Sequence, residues 1–379
     1  MVRIFLSSLF LIAYIYFGYP LVVFLLSRIF NQKIKKSPYK PRVTILIAAY
    51  NEKKHIQATI ENKLALDYPK DKLEIIVISD GSDDGTDDIV KLYANRGVKL
   101  IRQEPRRGKT SALNLAVPQA SGDILVFSDA NSLYDRDSLR FLMENFADPA
   151  IGYVTGKMVY VNPDGTTIGN GCSAYMQYEN LLRDVEARIG SVVGVDGGID
   201  AVRKSLYREM RADQLPDFVL PLMVVEQGYR VVFEPRALLM EETLNNSEDE
   251  NRMRVRVSLR ALWALFDMRN LLNPLKHGIF SLQLLSHKVL RYLGILFIAS
   301  LYASNIFILR KSLIYRLSFL AQNLTFAIAL AAHYLEKNGK PSGLLFIPYY
   351  FFLINIAAGR ALLKFLKGEK QVIWTPRKG

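Results

Sequence analysis

Residues 4–26, IFLSSLFLIAYIYFGYPLVVFLL, carry no charge. As a helix they are long enough to cross a hydrocarbon core of about 30 Å. A cleaved signal peptide is the alternative, but the run exceeds the usual apolar core of one and lacks a clean small-x-small cleavage site. The stretch that follows contains Arg28, Lys33, Lys35 and Lys36, which marks the cytoplasmic side. Three more apolar runs lie near 292–309, 312–334 and 343–363; Arg316 and Arg360 sit close enough to their ends to snorkel. Whatever folds between residues 31 and 250 is therefore tethered to a membrane on both sides. If residue 30 is cytoplasmic, three full C-terminal spans put the tail outside. Yet the tail, LLKFLKGEKQVIWTPRKG, is basic with a tryptophan and reads as cytoplasmic. Either one run is re-entrant or interfacial, or the positive-inside rule fails locally; both remain open.

The net charge of +13 over 379 residues invites a nucleic-acid partner until it is divided. Residues 1–42 hold seven Lys/Arg and no acid, and 251–379 hold nineteen against three. The middle, 43–250, holds 23 against 33 and is acidic. A basic surface confined to the flanks fits lipid head groups and argues against nucleic acid. The single cysteine, Cys172, excludes a disulfide framework and a multi-cysteine zinc site, and reads as a small core residue.

Within the middle, VTILIAA (43–49), LEIIVIS (73–79) and DILVFS (123–128) are almost continuously apolar and rich in β-branched residues. Such runs suit strands buried on both faces of a mostly parallel sheet. Helical patterns, KHIQATIENKLAL and TSALNLAVPQA, alternate with them, so the class is α/β. No G-x-G-x-x-G follows the first strand, which disfavours a dinucleotide fold. Gly108-Lys109-Thr110 resembles the end of a phosphate-binding P-loop. However, Gln103 stands where the first glycine belongs, and Pro105 offers no N–H, so an ATPase reading fails. A basic loop opening a helix at Thr110 or Ser111 is what remains.

The strands run into chemistry. The first ends in Tyr50-Asn51-Glu52, the second in Asp80 with DGSDDGT, and the third in Asp129-Ala130-Asn131. Ligands of open α/β sheets bind beyond the carboxyl ends of the strands. One Asp there is usually a turn former or cap. Three such ends within ninety residues point to a metal and a phosphorylated ligand.

VTILIAAYNE, EIIVISDGSDDGT, GKTSALNLAVPQASGDILVFSDAN and DFVLPLMVVEQGYRVVFEP, in that order, resemble the motifs of family 2 glycosyltransferases, in particular the membrane-embedded, cellulose-synthase-like branch. The similarity covers about residues 40–260. It implies a GT-A fold with a mixed, mostly parallel sheet and N- and C-terminal transmembrane helices. It also implies inverting transfer of a sugar from a nucleotide diphosphate, here expected to be UDP-linked. By the same resemblance Asp80 contacts the nucleotide base, with Ser79 replacing its usual acidic predecessor. Tyr50, Glu52 and Lys109 join the donor site. Asp129 is the first aspartate of the metal motif for Mg²⁺ or Mn²⁺, and Asn131 replaces the second; an amide oxygen ligates but brings no charge. Asp217 aligns with the general base, usually the second of an acidic pair. Pro216 stands in the first place, which removes a neighbouring charge and is expected to lower the pKa of Asp217. An N-cap on the helix that Pro221 helps begin is the structural alternative for Asp217. Gly197, Gly198 and Arg203, in VDGGIDAVRK, fall on the acceptor side, the glycines allowing close approach of substrate.

Processive members carry QxxRW after the base, and ENRMRVRVSLRALW lacks it. Arg252, Arg256 and Arg260 share one helical face, while Val255, Leu259, Leu262 and Phe266 line another; this reads as an amphipathic interfacial helix whose arginines meet head groups rather than the diphosphate. The expected organisation is a membrane helix at 1–30, a cytoplasmic GT-A domain at 31–250, interfacial helices at 251–290, a membrane region at 291–366 and a basic tail at 367–379. The expected protein is a multi-pass enzyme of the cell (inner) membrane. It would be a hexosyl- or N-acetylhexosaminyltransferase extending a polysaccharide or cell-surface glycan, or adding one sugar to a lipid-linked acceptor. An inactive membrane scaffold is the reading from another class.

Overall fold

The computed structural model describes residues 1–162, 165–243, 246–340 and 342–373. Its strands are β1 (Val43–Ala49), β2 (Leu73–Asp80), β3 (Val98–Gln103), β4 (Ile124–Asp129), β5 (Leu133–Tyr134), β6 (Ile151–Val161), β7 (Asp200–Arg203) and β8 (Arg230–Glu242). They make one mixed sheet in the order β3-β2-β1-β4-β7-β6-β8-β5. β3, β2, β1 and β4 are mutually parallel, and β8 is parallel to β6. β7 runs antiparallel between β4 and β6. Continuous apolar runs make sense because both faces are covered. Ile45, Ile47 and Val77 enter one core, while Leu46, Ile76 and Ile78 enter the other. All three expected strands form within one residue of their expected limits. The helix after the basic loop starts at Lys109, behind Gly108 in a left-handed conformation (φ +94°).

Val2–Ile29, Leu313–Lys337 and Gly343–Leu366 are each long and apolar enough to cross a membrane. Ile279–Tyr292 and Gly294–Ile308 pass that test as a pair, bent by 59°. The helix Phe346–Leu366 has a partner that hydropathy does not reveal. It lies along the helix Ser247–Asp267, from Tyr350, whose hydroxyl donates to Glu250 (2.6 Å), to Phe365, whose ring sits 4.7 Å from that of Trp263. Ala361 packs on Leu259 and Leu262. The expected interfacial helix thus turns its apolar face to protein rather than lipid. Its arginines divide: exposed Arg252 pairs with Asp249, whereas Arg260 is buried against the sheet domain, donating to the Gln214 carbonyl and to Thr110 Oγ1 (3.1 Å).

Beyond that helix the chain returns to the domain. Trp263 Nε1 donates to the Glu369 carbonyl (2.8 Å) and Lys370 pairs with Asp213 (2.7 Å). The Val372 carbonyl lies 3.0 Å from where a Cβ on Gly108 would stand. The tail's tryptophan, Trp374, lies outside the described residues.

Candidate active site

Each polar residue at the carboxyl edge of the sheet is placed by the strand it ends. Asp80, the last residue of β2, is fully buried. Its carboxylate accepts from Gln103 Nε2 (2.5 Å) and from the backbone N–H groups of Arg107 (2.8 Å) and Gly108 (2.9 Å), with Arg106 Nε at 3.5 Å. These bonds wrap the loop 103–108 around one side chain and fix where Lys109 begins. Asp80 thus anchors the loop 103–108 from the end of β2. Arg106 in turn stacks over the Tyr50 ring at 3.3 Å. Asn51, left-handed at φ +55°, exchanges hydrogen bonds with Asp83 (2.8 and 3.0 Å), and the Glu52 N–H reaches Thr86 Oγ1 (2.9 Å). The loops after β1 and β2 are thereby one unit.

Lys109 pairs with Asp129 at the end of β4. Burial pulls its ammonium down, but the Asp129 and Asp217 carboxylates outweigh that and hold it above its ordinary value. Asp129 keeps 39% of its side chain exposed at the sheet edge. Beneath the loop it begins, fully buried Lys63 donates to the Ser132 carbonyl (2.6 Å) and lies 3.4 Å from the centre of the Tyr134 ring. Its desolvated ammonium is pulled well below the usual lysine range, with Asp129 opposing. Among the described residues no three His, Cys, Asp or Glu side chains converge as a metal cage. Asp129 with the Asn131 amide still fits a hard cation that takes few protein ligands and completes its shell with substrate phosphates.

Asp217 faces this edge from the helix Pro216–Glu226, where it is the second residue; the N-cap is Leu215 and no side chain caps. The capping alternative therefore does not hold, and Pro221 lies inside the helix rather than at its start. A proline there has no N–H to offer the carbonyl four residues back, that of Asp217. Asp217, Lys109, Gly197 and Asp200 line one small recess floored by Phe127 and Tyr153. Burial pushes the Asp217 carboxyl above its ordinary value, Asp129 adds to the rise, and Lys109 and Arg260 oppose it. The lowering expected from Pro216 is overturned because desolvation and a more distant carboxylate act on the same group.

Of the acceptor-side residues, only Gly197 meets this recess. At φ +83°, a Cβ there would come 2.5 Å from Asp217 Oδ2. Gly198 instead abuts Leu239 and Ser132, and its carbonyl accepts from Tyr134 Oη (2.7 Å), so its missing side chain serves core packing. Arg203 spends its guanidinium on the carbonyls of Ile151, Phe146 and Asp148 (2.8–3.0 Å), tying β7 to the β6 entrance away from the recess. Asp200, Lys63 and Arg260 were not legible as site residues. A charged side chain on an apolar helix face was the available signal for Lys63, which follows Ile56 and Ile60 at helical spacing.

A mixed sheet whose parallel strands end in carboxylates, a helix that opens on Lys109 and an aspartate in the first turn of another make up the candidate site. The model of the family Glycosyl transferase family 2 matches residues 44–210. The chain is 32% identical over 211 residues to the poly-beta-1,6-N-acetyl-D-glucosamine synthase of Staphylococcus aureus (strain COL), covering 53% of this chain and 51% of that protein. The Staphylococcus epidermidis protein of the same name is 29% identical over 211 residues, with the same coverage. The chain thus spans about half the length of the curated relatives it matches. Among solved structures, the mannosyltransferase PcManGT from Pyrobaculum calidifontis, in complex with GDP-Man and Mn2+, matches with a TM-score of 0.72 over 97% of this chain and 99% of that one. At 22% identity this likeness shows a shared fold, including the helices on either side of the domain.

Proposed function

We propose that this protein is a membrane-bound inverting glycosyltransferase that moves a hexosyl or N-acetylhexosaminyl group from a UDP-linked donor to a growing polysaccharide or cell-surface glycan. One observation carries the reading: Asp217, partly buried and raised in pKa, shares a recess with Lys109, which is paired to Asp129 at the sheet edge. In this reading the diphosphate lies at the Lys109–Asp129 edge, on the loops knitted by Tyr50, Glu52 and Asp80. Asp129 and Asn131 would hold Mg²⁺ or Mn²⁺, which neutralises charge on the leaving diphosphate. Asp217 takes the proton of the acceptor hydroxyl as its oxygen bonds the anomeric carbon and the bond to the diphosphate breaks on the opposite face. A raised pKa suits a carboxylate that must accept a proton near neutral pH. The test is to incubate the purified full chain in detergent with a panel of nucleotide sugars and read released nucleoside diphosphate. UDP-N-acetylglucosamine is expected to score, and a flat response across the panel favours the inactive scaffold. The missing QxxRW supports a second reading, one sugar added to a lipid-linked acceptor; product length in the same assay separates the two.

The chain's path supports a topology as well. Phe346–Leu366 is apolar enough to cross, yet in this reading it runs along the membrane surface, because it rests on Ser247–Asp267 and hands residues 369–372 to the domain. Val2–Ile29, the bent pair Ile279–Tyr292 with Gly294–Ile308, and Leu313–Lys337 are then the crossings, and tail and domain share the cytoplasmic side. A Gly368→Cys variant in intact cells should resist membrane-impermeant thiol reagent until the membrane is opened; labelling in intact cells refutes this path.

A further inference from the structure

The residue at the recess that no motif names is Asp200. It opens β7, in register with Phe127 of β4 on one side and Thr155 of β6 on the other, and is 1% exposed. The Gly197 N–H donates to its Oδ2 (2.8 Å), while its Oδ1 has no partner among the described residues. Gly197 is thus sandwiched, its N–H on one carboxylate and its missing Cβ yielding to the other, that of Asp217. Charged and titratable groups meet here from every neighbouring element. Asp217 comes from the helix above and Lys109 from the helix alongside, the latter already engaged by Asp129. Tyr153 and Thr155 come from β6. Asp196, in the preceding loop, pairs with buried Arg183 (2.6 Å). Arg260 acts on Asp217 from the helix Ser247–Asp267. Lys109 therefore serves three carboxylates, Asp129, Asp200 and Asp217, and Arg260 adds its charge at Asp217 alone.

We propose that Asp200 is the second carboxylate of the proton-accepting site, supplying from β7 the acidic neighbour that Pro216 withholds from Asp217. This rests on the reading of Asp217 as base. Two carboxyls around one glycine in a desolvated recess cannot both ionise freely, so the pair titrates in two steps that belong to neither residue alone. Asp200 keeps the proton of the pair while Asp217 stands ionised and ready. When Asp200 also ionises, its charge strengthens Asp217 as a base. Asp200 is a positioning residue: it touches no reacting atom and acts through the charge it places beside Asp217. Burial, with Asp196 and Asp217, pushes its carboxyl up to about 7, against Thr155 and the Gly197 N–H, which puts the second step within reach of assay.

The experiment is kcat/KM against pH from 5 to 9, using UDP-N-acetylglucosamine or the fastest donor of the panel, for wild type, Asp200→Asn and Asp200→Asn/Pro216→Glu. Wild type should keep rising through pH 7. Asp200→Asn should plateau below pH 6 and run about tenfold slower at pH 8, as expected from removing one close like charge, with donor affinity within about twofold. Pro216→Glu, which restores a carboxylate in the first helical turn, should bring back an upper step. Should Asp200→Asn fail to fold, Pro216→Glu alone carries the test by moving the step upward. An Asp200→Asn profile that keeps its rise through pH 7, or falls equally at every pH, overturns the proposal. Asp217→Asn run alongside keeps the two readings apart. If it retains turnover, the base assignment falls; if it loses turnover while Asp200→Asn behaves as wild type, only the role of Asp200 falls.

Discussion

The donor edge and the acceptor side of this site are built by different rules. At the donor edge, β1, β2 and β4 are parallel, and each hands its next residues directly to the site: Tyr50 to Glu52, Asp80, and Asp129 to Asn131. Acceptor-side groups arrive from Gly197, from a four-residue antiparallel strand, from the first turn of a helix, and from Arg260 on a helix that also touches membrane elements. Parallel strands advertise their ends, because the apolar run stops where the ligand begins. An antiparallel insert does not, because its polar residue opens the strand.

Three expectations sharpen or break that contrast. The largest effect should come from chelation. If the donor edge works through a divalent cation on Asp129, EDTA should abolish nucleotide release, and Mg²⁺ or Mn²⁺ should restore it. Full turnover in chelator would remove the metal from the reading, and with it the reason for Asp129 to stand exposed. A smaller effect should follow Lys109→Ala. Losing a charge-assisted contact to the diphosphate should weaken donor binding about tenfold, or about 1.4 kcal/mol. Calorimetry showing unchanged affinity would reduce Lys109 to a counter-ion of Asp129.

The smallest effect is on stability and belongs to the acceptor side. Burial and the neighbouring carboxylates push the Asp200 carboxyl from 3.8 up to about 7 in the fold. Because the folded form binds the proton more tightly, the stabilisation is complete below about pH 4 and is lost as pH rises through about 7. Asp200→Asn cannot titrate and should flatten the fall of Tm between pH 5 and 8. The difference should be a few degrees, since 1 kcal/mol moves Tm by about 2–4 °C in domains of this size. A slope identical to wild type would mean that Asp200 is charged, or neutral, at every pH in that range.

The legibility of the molecule follows the same division. β1, β2 and β4 were readable because burial on both faces leaves no polar position to interrupt them. Asp129 and Lys109 were readable individually, but not their pairing, which depends on loop closure around Asp80. Asp200 was invisible because an aspartate in IDAVR looks like a turn former until β4 and β6 enclose it. The run 343–363 has a protein neighbour that its hydropathy does not announce. Hydropathy counts apolar residues without seeing what covers them, and the arginine-bearing helix 247–267 looked too polar to be its partner. Arg260 looked like a head-group ligand for the same reason, yet the fold buries it against Thr110 and Gln214.

The central claim is that the two sides meet at Asp217 for chemistry and remain separate for binding. Asp217→Asn tests it most directly, with donor affinity and nucleotide release measured on the same preparation. Asn keeps the size of the side chain, and no capping bond is at stake, so folding should be unchanged. Donor affinity should stay within about twofold, while turnover should fall by about two to four orders of magnitude, the usual share of a positioned general base. Turnover near wild type, with donor bound normally, would contradict the account.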